Sequence, residues 1–61
     1  MLQQSEAVRQ AHRLYDLMGD RSEAHAAERA RSERDAGDRE AARGWEMIRR
    51  VIRMRRGPNE S

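Results

Sequence analysis

Two Gly-Asp dipeptides, Gly19-Asp20 and Gly37-Asp38, constrain this chain more than any other feature. Glycine lacks a Cβ and so adopts the left-handed conformation that closes a helix. Aspartate accepts hydrogen bonds from the free N–H groups that open one. Together the dipeptides divide 61 residues into helical segments predicted at about 4–18, 21–36 and 39–55. The expected fold is all-α: a small antiparallel helical hairpin or bundle over residues 1–56, followed by a polar tail at 57–61.

At 100° per residue, Ala7, Val8, Ala11, Leu14, Tyr15, Leu17 and Met18 fill one half of the first wheel. Polar groups, His12 and Asp16 among them, fill the other. The third segment repeats the pattern. Ala41, Gly44, Trp45, Met47, Ile48, Val51, Ile52 and Met54 spread over one half, and Glu46 with all the helix's arginines but one lies opposite. The exception is Arg55, on the apolar side in a last turn expected to fray. The middle segment offers only alanines, interrupted by Glu33 and Arg34. Asp20 and Glu23 are spaced as a capping box for its start. Gly44 lies within the apolar arc of the third helix. Because a mid-helix glycine costs about 1 kcal/mol against alanine, a close crossing against the alanine face of the second helix is expected there.

Beyond Met1, the chain carries twelve large apolar side chains: three Leu, two Val, two Ile, three Met, Trp45 and Tyr15. That is a small supply for ordering so many residues without a disulfide or a metal. Two half-wheel apolar helices joined through an alanine helix bury one sector against each other. They leave another, such as Met47, Val51 and Met54, for a partner. Completion of the fold by oligomerisation follows, with a two-fold dimer as the commonest solution. A larger protein that takes up a helix face is the alternative. Candidate interface or core residues are Val8, Leu14, Tyr15, Met18, Trp45, Met47, Ile48, Val51, Ile52 and Met54.

Net charge is +2, unevenly spread. Residues 20–40 hold seven acids and five Arg, whereas residues 41–56 hold six Arg and one Glu. An acidic middle and a basic end favour head-to-tail attraction between copies, or a basic face for an acidic partner. Arg43, Arg49, Arg50, Arg53 and Arg56 form a candidate anion-binding strip, long enough for several phosphates. Glu46 sits within reach of Arg49 and Arg50, and the acidic second helix is placed to cover part of the strip. No aromatic interleaving or helix-turn-helix spacing supports base reading.

Catalytic constellations are not apparent. His12 and His25 fall on different helices, each toward a polar face, with no further ligands at metal-binding spacing. No serine has an activating companion, and the glycines are too scattered for a phosphate loop. With no cysteine there is neither thiol chemistry nor a disulfide framework. No cofactor, metal, small-molecule substrate or enzymatic activity is expected. The absence of a secretory leader pattern and of a long apolar run makes the cytoplasm the expected location, without a membrane span. All thirteen basic residues are Arg, as a GC-rich genome would favour.

The segments Met18-Gly19-Asp20, His25-Ala26-Ala27-Glu28-Arg29-Ala30 and Ala36-Gly37-Asp38, with Trp45 followed by Ile48 and Ile52, resemble short uncharacterised Ala/Arg-rich helical proteins of GC-rich bacteria. The resemblance spans about residues 14–54 and implies Trp45 and Ile48 in the core and Gly37-Asp38 as an interhelical turn. It implies no activity, cofactor or partner. Arg55 and Arg56 depart from the pattern, where such proteins continue with an apolar residue and a polar tail. The function expected is that of a small non-catalytic interaction or accessory protein, acting by self-association or by docking on a larger protein. An Arg-mediated, nucleic-acid-binding small regulator is the alternative.

Overall fold

The computed structural model describes residues 4–57, which form three α-helices: α1 (Gln4–Met18), α2 (Arg21–Asp35) and α3 (Arg39–Arg56). The polar tail expected at 57–61 falls outside the described residues except for Gly57. Both Gly-Asp turns lie where the sequence puts them. Gly19 (φ +63°) and Gly37 (φ +88°) take left-handed conformations, the region that a Cβ makes costly. At the second turn the Gly37 amide donates to the Arg34 carbonyl (3.0 Å) and the Asp38 amide to that of Glu33 (2.9 Å), a Schellman closure. Asp38 then opens α3 by accepting from the Ala41 amide at 3.0 Å.

The first turn is built differently. Asp20 stands at the N-cap in a helical conformation and makes no side-chain cap bond. The capping box expected with Glu23 is therefore not formed. Instead the buried Ser22 hydroxyl donates to the Gly19 carbonyl at 2.6 Å and ties the turn together from within. That frees Glu23 to pair elsewhere.

α2 runs back along α3, and these two share the largest interface. Glu23 meets Arg56 (2.7 Å) at one end, and Arg34 meets Glu46 (2.8 Å) at the other. α1 crosses this hairpin. One flank, Gln10, Leu14 and Leu17, borders Trp45 and Ile48 in the first part of α3. The opposite flank, His12, Tyr15 and Asp16, meets Arg55 near the end of α3. At the crossing Ala7 and Ala11 of α1, Ala26 of α2 and Ile48 and Ile52 of α3 form the buried core. Leu14, Tyr15, Trp45, Met47 and Val51 pack around it, each partly buried.

Gly44 is buried, but on the side of α3 beside Gln10 of α1. α3 continues through Arg56, and Arg55 is a packed residue, not a frayed one.

Two substitutions test the crossing. Ile52→Ala opens a void in a core with two large members and is expected to cost about 2–5 kcal/mol. Ala11→Leu overfills the point where α1 meets α3, at about 1–3 kcal/mol. Thermal melts followed by far-UV circular dichroism should show both losses; melts like the parent's would contradict this account of the core.

Candidate interaction surfaces

Among the described residues two surfaces stand out once the core is assembled: a groove beside α1, and the arginine side of α3. The groove follows from the width of the α1 face. Ala7 and Ala11 occupy its centre, so larger residues at its edge have nowhere inward to go. Leu17 is 76% exposed there. It borders a depression of about 250 Å3 with Gln10, Arg13, Leu14, Trp45 and Ile48. A second depression of about 330 Å3 continues it past Gln10, Trp45 and Ile48 to Ala41, Gly44, Asp38 and Glu40. The two form one shallow groove with Trp45 at its middle.

Trp45 is braced from the α2 side. His25 packs edge-on to the indole, with ring centroids 5.8 Å apart and planes at 79°. The Arg29 guanidinium lies 5.4 Å from its centroid while also pairing with Glu33 at 3.3 Å. His25, expected on a polar face, is therefore half-buried against an aromatic ring. His12 is exposed, with its carbonyl oxygen and Nδ1 each 3.2 Å from Arg55. Among the described residues no group of three or more His, Cys, Asp or Glu could hold a metal ion.

The strip of arginines is largely answered from within the molecule. Arg49 pairs with Glu46 (3.6 Å), Arg53 with Glu23 (3.9 Å), and Arg56 with Glu23 and with Asp20 (4.0 Å). Among the described residues Arg43 and Arg50 have no ion-pair partner, and both are exposed. Arg55, outside the predicted strip, makes the most contacts. Its guanidinium stacks 4.5 Å from the Tyr15 ring centroid and donates to Asp16 at 2.9 Å.

The candidate residues divide by depth. Ile48 and Ile52 are buried; Val8, Leu14, Tyr15, Met18, Trp45, Met47 and Val51 are partly buried; Met54 is 73% exposed and no part of the core. Sequence reasoning passed over Leu17, Gln10 and Ala41 as surface elements, and Ala7, Ala11 and Ala26 as the centre of the core. The signal for the alanines was available, because they sit at the middle of their apolar arcs, where small residues mark close approach. No family model, curated protein or solved structure matches this chain.

The Arg55 clamp gives a measurable expectation. Arg55→Gln removes both the stacking on Tyr15 and the pair with Asp16, and should cost about 1 kcal/mol at low salt. In a double-mutant cycle with Asp16→Asn, the coupling should shrink as salt is added. A coupling of zero at every salt concentration would show that the pair contributes nothing.

Proposed function

We propose that this chain is a small, non-catalytic helical interaction protein that acts by self-association. The observation that carries the reading is the residual apolar surface. Leu17 and Met54 stand largely exposed beside partly buried Leu14, Trp45, Met47 and Val51. With a buried core cluster of five members among the described residues, two of them larger than alanine, the chain gains much by covering such residues. A half-buried tryptophan at the middle of a groove is the type of side chain on which association energy concentrates. A second copy is the simplest occupant, since two-fold pairing needs no other gene product. A cytoplasmic, bacterial setting belongs to the same reading, its bacterial part supported by arginine in place of lysine throughout.

Binding of nucleic acid through the arginines is the less favoured reading. Arg49, Arg53 and Arg56 already face carboxylates of Glu46, Glu23 and Asp20. A phosphate backbone would have to displace those partners, and among the described residues only Arg43 and Arg50 of the strip stand without one.

Sedimentation equilibrium is expected to give a mass above 7.1 kDa at micromolar concentration, with helicity falling on dilution. A folded monomer with concentration-independent helicity would refute self-association. Replacing Arg49, Arg50 and Arg53 by Gln should leave that mass unchanged. Salt-sensitive binding of the parent to DNA or RNA, abolished by the same replacements, would establish the other reading.

A further inference from the structure

We propose that the groove beside α1 is a self-complementary, two-fold interface in which Arg13 and Leu17 of each copy dock on Glu40, Ala41 and Gly44 of the other. This rests on the self-association reading above and names the face that serves it.

A two-fold interface uses the same patch twice, so one patch must carry both a projection and its recess, and both signs of charge. The groove does. At one end Leu17 projects 76% exposed, beside Arg13. At the other end partly buried Ala41 and buried Gly44 add no side chain beyond a Cβ to the lining of the larger depression, which Asp38 and Glu40 share. Gln10, Trp45 and Ile48 line both ends and therefore mark the centre. A two-fold axis through that centre exchanges the ends. It sets Leu17 over Ala41 and Gly44, and Arg13 over Asp38 and Glu40.

The charges involved are available. Arg13 and Glu40 are exposed, and neither has an ion-pair partner among the described residues. Asp38 uses Oδ1 to cap α3, which leaves its other oxygen for Arg13 of the other copy. Opposite charges meeting around an apolar centre set register and exclude other registers.

The other exposed large apolar residue among those described, Met54, fails the same requirement. Met54 lies in a turn of α3 that carries Arg50, Arg53, Arg55 and Arg56. Arg53, Arg55 and Arg56 are taken up by Glu23, Asp16 and Asp20, which leaves Arg50 as the charge of that turn without an ion-pair partner among the described residues, and the turn holds no acid to match it on a second copy. Of these two positions among the described residues, Leu17 is the one that lies in a patch matching itself.

The test is a charge exchange read by sedimentation equilibrium, with far-UV circular dichroism as the check on folding. Arg13→Glu alone and Glu40→Arg alone each create like-charge contacts twice per dimer, and each should weaken association by about tenfold or more. Mixed in equal amounts, the two variants should recover the parent's mass, because both crossed contacts of the mixed dimer pair opposite charges. The double variant R13E/E40R should recover it alone. Leu17→Glu, at an exposed site, should keep the monomer's helicity and abolish association. If the parent associates and these variants associate equally well, the interface lies on another face and the proposal is overturned while self-association stands. A parent that is monomeric throughout overturns both, and so leaves the groove to a different protein.

Discussion

The structure depends on how closely α1 can approach α3. Ala7 and Ala11 put almost nothing between the two backbones at the crossing, where Ile48 and Ile52 supply the bulk of the buried side-chain volume. Close approach improves contact at the centre, where dispersion is gained atom by atom. It also closes the seam to anything large. Leu14, Tyr15, Trp45, Met47 and Val51 are therefore displaced to its edges, where each is covered on one side only. Leu17 and Met54 are left largely exposed. The apolar surface is thus a consequence of the small residues at the centre, and the two features belong to one design.

Charge does for α2 what apolar bulk does for the other helices. Its buried positions are Ser22, Ala26 and Ala30, too little side chain to fix its direction or its register. Ion pairs at both ends supply that information: Glu23 with Arg53 and Arg56, and Arg34 with Glu46. Exposed pairs of this kind contribute at most about 1 kcal/mol each. Their larger effect is selective, because sliding α2 by a turn would separate these partners. Arg29 and His25 add a directional grip on Trp45. The acidic middle and basic end of the chain therefore meet within one copy, where sequence alone leaves open whether they meet within or between copies.

Helix boundaries were legible because local chemistry sets them. Gly19, Gly37 and Asp38 act through their own backbone conformation and nearest amides, and neither needs a tertiary contact. The Asp20 cap was misread for the converse reason. Glu23, spaced correctly for a capping box, has a stronger claim on it from Arg56, a residue distant in sequence. The same limit explains Arg55. A helical wheel places it on the apolar side, and only the position of α1 reveals that Tyr15 and Asp16 receive it there. Periodicity names the face of a helix; it does not give the crossing direction. The groove, formed by two flanks of crossing helices, had no signature in either helix alone.

α1 is the least anchored of the three helices. It shares little with α2 and is secured to α3 by the alanine crossing and by Arg55. Elements with few contacts open at low free energy, well below the cost of global unfolding. The flank of α1 that holds Gln10, Leu14 and Leu17 is also the flank that lines the groove. A partner seated there would contact α1 and α3 together and add a second seam parallel to the first. Binding that requires α1 in place stabilises α1 in place, by the ordinary linkage of ligand to conformation. Association and the docking of α1 are then one equilibrium. Under the proposed pairing, the residues that leave α1 thinly held in one copy are the ones that a second copy would cover.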